Sequence, residues 1–271
     1  MTPERPARRV RVDVLLVERG HAPSREKAQA LLLAGLVTSD GMRLDKPGKP
    51  ISCEAPLEVA EGRRFVSRGA EKLGPVLTRF SIAVPGRDAI DVGASTGGFT
   101  QVLLAEGAAR VIALDVGRGQ LDWSLRNDPR VVLREGVNVR YLEPDTLPFR
   151  PSLATIDVSF ISLRQVLEPT CARLAPGADV VALVKPQFEV GRLRVGKGGI
   201  VRDPALWDEV LEGLVSFCRE GGFGPTAIAR SALPGASGNV EFFLHLRPSA
   251  APAADRALDA ERHEAVHAPP R

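Results

Sequence analysis

Asp88-Ala89-Ile90-Asp91-Val92-Gly93-Ala94-Ser95-Thr96-Gly97-Gly98-Phe99-Thr100 is the stretch on which the reading of this chain turns. An apolar strand carries an acid, Asp91, and runs into a glycine-rich turn. Glycine lets the backbone bend tightly and approach a ligand closely. A helix then starts at about Gly98 and continues through Leu103, Leu104 and Ala105. Free N–H groups at such a helix start point into the space above the turn. Roughly 20 residues on, a second apolar strand ends in Asp115, an acid of the kind that holds ribose hydroxyls in nucleotide-type folds. The spacing G-x-x-x-G-G differs from the dinucleotide fingerprint G-x-G-x-x-G, which weighs against a nicotinamide or flavin reading. A tight strand-to-helix turn without a ligand uses the same residues, so the rest of the chain has to carry the argument.

Downstream the chain alternates regularly. A helical stretch, Gly119 to Leu125, precedes a strand, Val131–Leu133, and then Glu135-Gly136-Val137-Asn138. The strand Leu153–Phe160, the helix Leu163–Leu174 and the run Val180–Val184 before Lys185-Pro186 follow. Next come a glycine-rich loop, a helix around Pro204–Arg219 and two last strands, Ala227–Ala229 and Val240–Leu246. Strands separated by helices predict a mostly parallel sheet covered on both faces. The last two strands lack a helix between them and are expected to form an antiparallel edge. Residues 248–271 are rich in Ala, Pro and charge without periodicity and read as a disordered tail.

Upstream lies a smaller unit. Residues 1–9 read as a mobile arm. Asp13 is placed to cap a short helix that Gly20 stops, and Ser24 to cap a second, Arg25 to Ala34, ended by Gly35. Leu36–Thr38, the turn Asp40-Gly41 and Met42–Leu44 form a hairpin pattern, with Leu57–Val59 as a closing strand. The segment 63–66 joins this unit, 10–62, to the larger one, 67–247; Phe65 and Val66 are expected to pack while Arg63, Arg64 and Arg68 line the approach.

At 271 residues there is ample chain for one large domain and a small one. No apolar run reaches the ~20 residues of a membrane helix, and the N-terminus has no signal-peptide core. Three scattered cysteines and four histidines give neither a disulfide framework nor a metal spacing, a cytoplasmic pattern with no metal expected. The net charge of +3 conceals an asymmetry: residues 1–80 hold 15 Lys and Arg against 10 Asp and Glu. Excess basic charge at one end fits contact with phosphates.

Asp91-x-Gly93 is similar to the first motif of S-adenosylmethionine (SAM) methyltransferases, and the strand pattern resembles their seven-stranded Rossmann-like α/β fold. Asp91, Asp115, Asp157 and Lys185 end predicted strands, where ligands bind in open α/β sheets. Buried charges are normally paired, so Asp157 and Lys185 are expected to meet. Arg11-Val-Asp13-x-Leu-Leu, Ser24-Arg25-x-Lys27-Ala28 and Gly35-x-Val37 with Asp40-Gly41 resemble the αL-type α+β RNA-binding domain. That resemblance puts Arg25, Lys27, Arg43 and Lys46 against RNA, with Arg11 beside them. Lys72, Asp157, Lys185 and Glu241 look like the Lys-Asp-Lys-Glu tetrad of FtsJ-like ribose 2′-O-methyltransferases. Together with Val66-Ser-Arg-Gly-Ala-x-Lys-Leu73, Asp115-Val-Gly-x-Gly-Gln120-Leu and Leu183-Val-Lys-Pro-Gln-Phe-Glu189, these motifs resemble the TlyA family over residues ~10–247. One departure is Phe65, where that family usually has tryptophan.

The resemblance implies a SAM-dependent ribosomal RNA 2′-O-methyltransferase acting on cytidines of the small subunit, the large subunit, or both. A ribose hydroxyl is a poor nucleophile, so catalysis consists of in-line positioning and proton removal. Lys185 is then the base or hydroxyl-orienting group and Lys72 the neighbouring cation, with Asp157 and Glu241 fixing them. Gly93, Ala94, Ser95, Thr96, Gly97, Gly98 and Phe99 are expected around the methionine part of SAM, with Asp91 and Asp157 beside it. Asp115 takes the ribose and Asn138 the adenine side. The basic loop with Arg192, Arg194 and Lys197 is expected on RNA. A monomer is the default. The contrasting readings are a silent RNA-binding module, which the four filled tetrad positions oppose, and a haemolysin. The latter would need an export signal and a membrane-inserting segment, and neither is visible.

Overall fold

The structure, a computed structural model, describes residues 8–33, 35–59, 65–143 and 146–267. Contacts divide the chain into two units, Met1–Arg64 and Phe65–Arg271. Arg63 and Arg64, expected on RNA, lie outside the described residues, as do residues 1–7 of the arm, Ala34 and residues 268–271.

In the first unit β1 (Arg9–Arg11) leads into α1 (Val12–Glu18) and α2 (Arg25–Leu33), followed by β2 (Val37–Ser39), β3 (Met42–Arg43), β4 (Pro50–Ser52) and β5 (Glu58–Val59). The arm reading is corrected at its end: Arg9 pairs with Ser52 in an antiparallel β1–β4 ladder. Asp13 is corrected too, since it sits inside α1 and is fully buried, while Arg11 precedes the helix. Ser24 does cap α2, its hydroxyl accepting from the Lys27 N–H at 3.3 Å. The hairpin turns at Asp40 and Gly41, both at positive φ (51° and 72°), the conformation a tight two-residue turn requires. Val12, Leu16, Ala28, Leu32 and Val37 make the small core.

The second unit runs α3 (Arg68–Arg79), β6 (Asp88–Val92), α4 (Gly98–Ala105), β7 (Arg110–Asp115), α5 (Trp123–Arg126), β8 (Val131–Glu135), β9 (Leu153–Ile156), α6 (Leu167–Cys171), β10 (Asp179–Val184), α7 (Pro186–Glu189), α8 (Pro204–Glu220), β11 (Pro225–Arg230), β12 (Phe242–Leu246) and α9 (Asp255–His267). Its seven-stranded sheet has the order β11-β12-β10-β9-β6-β7-β8. The strands β8, β7, β6, β9 and β10 are parallel, and β12 enters antiparallel between β10 and β11, the antiparallel edge expected. Alternate side chains go to opposite faces of a strand, and both faces here are covered. Val180, Ala182 and Val184 join one core, and Val181 and Leu183 the other.

Three expectations change. The tail is not disordered throughout: Asp255–His267 is helical, with Leu258, Ala265 and Val266 buried against the first of those cores. Glu261 of this helix accepts the Ile228 N–H of the edge strand β11 at 2.7 Å. The helix expected over Leu163–Leu174 is broken into a 3₁₀ turn, Leu163–Gln165, and the short α6. The helix expected from Gly119 shrinks to α5, because Asp122 caps it by accepting the Ser124 N–H at 2.8 Å. Phe65 and Val66 pack as expected, against the core of the second unit, and the Val66 N–H donates to Gln101 Oε1 at 2.7 Å.

Candidate active site

The parallel strands deliver Asp91, Asp115, Asp157 and Lys185 to their carboxyl ends. Because β12 is antiparallel, its start lies at that same end. The register Val184↔Phe242 places Glu241 across from Lys185. Two ion pairs result. Lys185 Nζ lies 2.5 Å from Asp157 Oδ1 and donates to Ser159 Oγ at 3.1 Å. Lys72, on the second turn of α3, donates to Glu241 Oε2 at 2.6 Å, and both residues are buried. The two pairs stand on the neighbouring strands β10 and β12 at the same end of the sheet, each lysine on its own carboxylate. Gly235 is pressed against Glu241: a Cβ at this position would collide with Oε1.

The glycine turn is tighter than a ligand cradle alone requires. Gly93 and Gly97 have positive φ of 87° and 97°. A Cβ on Gly93 would strike the carbonyl oxygen of Asp157, and one on Gly97 the side chain of Leu125. A Cβ on Gly98 would strike the Ser67 hydroxyl. The missing side chains make room for protein, and Ser95 and Thr96 are what the turn exposes. Ala94 is buried beneath them, and Phe99 points into the core, stacked on Phe243 at 6.1 Å.

Asp91 is likewise inside the protein. Its oxygens accept from Thr100 Oγ1 at 2.7 Å and from Thr155 Oγ1 at 3.0 Å. Burial pushes its carboxyl up to about 7 against these hydroxyl bonds, with the nearby charge of Asp157 adding to the rise. Asp91 thus ties β9 and α4 together below the turn. Asp115 is half-buried and accepts the Ser95 N–H at 2.8 Å and the Gly117 N–H at 2.6 Å. Asn138 caps a 3₁₀ turn, accepting the Arg140 N–H at 3.1 Å.

Sequence reasoning assigned no role to Ser159 or Phe160. Phe160 stands at φ 63° and is 92% exposed, its ring 5.1 Å from that of Phe188. A cavity of about 420 Å³ opens beside them, lined also by Ser162, Gln165, Gln187 and Arg192. The aromatic in Asp157-Val-Ser-Phe160 was visible in the sequence, but its left-handed backbone and its exposure were not.

Of the residues expected on RNA, Lys27, Lys46, Arg192 and Lys197 are exposed. Arg43 is exposed too, its guanidinium lying over Gly35. Arg194 is paired with Glu209, and Arg68 donates to the carbonyl of Pro234 at 3.1 Å. Arg11 and Arg25 both bind Asp13. Cys171 and Cys218 are free thiols pushed up to about 12 by burial, which makes neither a nucleophile. Among the described residues no His, Cys, Asp and Glu group is arranged to hold a metal ion, and no helix is long and apolar enough to cross a membrane.

A seven-stranded sheet of this order, with a glycine turn after β6 and acids at its strand ends, defines a Rossmann-like methyltransferase. The pattern of FtsJ-like methyltransferases matches residues 65–248, and that of the S4 domain matches residues 10–54. The chain is 50% identical over 264 residues to the 16S/23S rRNA (cytidine-2′-O)-methyltransferase TlyA of Mycobacterium tuberculosis, covering 96% of this chain and 97% of that one. It is 38% identical over 237 residues to Hemolysin A of Brachyspira hyodysenteriae, covering 87% of this chain and 99% of that one. A solved structure from Streptococcus thermophilus that bears a hemolysin name is 43% identical, with a TM-score of 0.70, covering 94% of this chain and 96% of that one. The chain belongs to the FtsJ-like methyltransferase family, in its TlyA branch, and is an enzyme.

Proposed function

We propose that the protein transfers a methyl group from SAM to a ribose 2′-oxygen of cytidine in ribosomal RNA, in the cytoplasm, with the S4 domain docking the RNA. The observation that carries the reading is the Lys185–Asp157 pair at 2.5 Å, beside the Lys72–Glu241 pair at the carboxyl end of the sheet. The relative from Mycobacterium tuberculosis is named for this reaction on both ribosomal RNAs.

The donor set fits SAM. Asp115 has acceptor capacity beyond its two N–H bonds for a ribose diol. Ser95 and Thr96 are exposed on the turn where the methionine end would lie, and Asp157 supplies a carboxylate opposite a cation. SAM, when bound, brings a methyl group already activated by its sulfonium. This chain then has to hold the attacking oxygen in line and remove its proton. Lys185, anchored by Asp157 and Ser159, sits where it can hold the 2′-oxygen, and the proton released as the O–CH₃ bond forms leaves through the Lys185–Asp157 pair. Lys72, from α3, and Glu241, at the start of β12, form the second pair at the same end of the sheet. Phe160 offers a flat apolar face for the target base beside the cavity.

The test is transfer of labelled methyl from SAM to ribosomal subunits and to free ribosomal RNA, with Lys185→Ala alongside. Alkali cleaves RNA through a free 2′-hydroxyl, so a resistant dinucleotide identifies the methylated oxygen. Resistance with wild type and none with Lys185→Ala is expected. Label that stays alkali-labile would mean base methylation. Label on no RNA would leave a silent RNA-binding module.

A further inference from the structure

Asp13 is the one buried charged side chain of the first unit among the described residues, at 0% exposure. Placing a carboxylate there is costly unless it is well paired. Its partners come from two elements. Arg11, at the end of β1, donates through Nε at 3.0 Å to Oδ1 and through Nη2 at 2.9 Å to Oδ2. Arg25, at the start of α2, donates through Nη2 at 3.2 Å to Oδ2, and Gln29 donates to the same oxygen at 3.0 Å. Both arginine side chains remain about half exposed, at 50% and 57%. Bonding Arg11 fork-to-fork uses two of the five guanidinium donors, and bonding Arg25 uses one.

The Nη2 atoms of the two arginines, both on Oδ2 of Asp13, lie no more than about 6 Å apart. Without the acid between them, two like charges so close would repel and their long side chains would spread over many rotamers. With it they present their remaining donors together, a geometry suited to phosphodiester oxygens. We propose that Asp13 is a positioning residue for RNA docking: it touches no RNA and holds Arg11 and Arg25 as one phosphate-binding fork. This rests on the reading that the first unit docks RNA.

The inference has a sign that tests it. Replacing Asp13 by Asn removes a negative charge from a basic face, which by bulk electrostatics alone would tighten RNA binding. Positioning requires the opposite. In the full-length protein, Asp13→Asn is expected to raise KM for ribosomal RNA about tenfold with kcat and SAM affinity unchanged, and to lower the salt dependence of RNA affinity by about one phosphate contact. In an Arg11→Ala/Arg25→Ala background the same substitution is expected to add almost nothing. Unchanged or tighter RNA binding by Asp13→Asn overturns the proposal, as does a loss fully additive with the arginine changes. If Arg11→Ala and Arg25→Ala themselves leave KM alone, the docking reading fails and the proposal with it. Should Asp13→Asn unfold the first unit, Arg11→Lys carries the test. It keeps the charge and loses the fork, so the proposal expects nearly the KM rise of Arg11→Ala, and wild-type behaviour overturns it.

Discussion

One sheet carries ion clusters at both its ends, and they are built differently. At the carboxyl end each lysine faces one carboxylate, and Lys185 also reaches Ser159. At the opposite end Asp179 is a hub: His245 meets it at 2.9 Å, Arg247 at 2.8 Å and Arg87 at 2.7 Å. Thr226 backs His245 in turn, and Phe80 stacks on its ring. The hub joins β10, β12 and the segment before β6, and despite burial its three partners hold Asp179 well below the usual carboxylate range. The lysines at the carboxyl end have few partners, which leaves them donors to spare. The hub has several and can exchange none. Saturated networks belong to stability, and sparse ones to chemistry.

Substitution separates the two ends. Lys185→Ala is expected to cut methyl transfer by about 10²–10⁴, the usual weight of a group that handles the transferred proton. Its stability should fall by only about 1–3 kcal/mol, the cost of leaving the buried Asp157 Oδ1 without its cation while the rest of the carboxylate is a quarter exposed. Asp179→Ala should do the reverse. Loss of the acid leaves His245, Arg247 and Arg87 without their carboxylate, at a cost of about 3–5 kcal/mol in chemical denaturation, with the folded fraction retaining normal turnover. A Lys185→Ala enzyme that unfolds, or an Asp179→Ala enzyme that folds normally but is inactive, would break the contrast.

pH sharpens it. Asp91, buried among hydroxyls rather than cations, is pushed up to about 7. A carboxyl whose pKa rises on folding contributes its full stability below the free aspartate value near ~3.9 and loses it as pH climbs through the folded value. Wild type is therefore expected to lose on the order of 2–4 kcal/mol relative to Asp91→Asn between about pH 4 and pH 8. Asp179, held low, behaves oppositely: its contribution is present above the free value and fades only in strong acid. A flat difference between wild type and Asp91→Asn would show that Asp91 stays ionised. The smallest effect belongs to the exposed pair Arg79–Glu264, where Arg79→Ala should change stability by about 0–1 kcal/mol.

The strands and the glycine turn were legible because they are periodic or positional: apolar runs ending in Asp91, Asp115, Asp157 and Lys185 announce one edge of a parallel sheet. Pairing among the two lysines and two carboxylates was half legible. Asp157 and Lys185 follow from the cost of burying either alone, whereas Lys72 with Glu241 depends on α3 packing beside β12. Helix α9 was illegible since Leu258 and Val266 are its few large apolar residues among alanines and charges, and its partner Ile228 lies in a strand far upstream. Asp13 looked like a helix cap because the residue type favours caps, and its burial came from Arg25 and Gln29 on the next helix.

The position of β12 also sets an order of events. It is the last strand in the chain, yet it lies inside the sheet between β10 and β11, and Glu241 stands at its start. During synthesis the earlier strands can pair among themselves, but β11 has no neighbour to join until the chain reaches Leu246. The lysine of α3 waits the same length of time for its carboxylate. A half-made chain is therefore without its Lys72–Glu241 pair, and the carboxyl end of the sheet is complete only once the last strand is made.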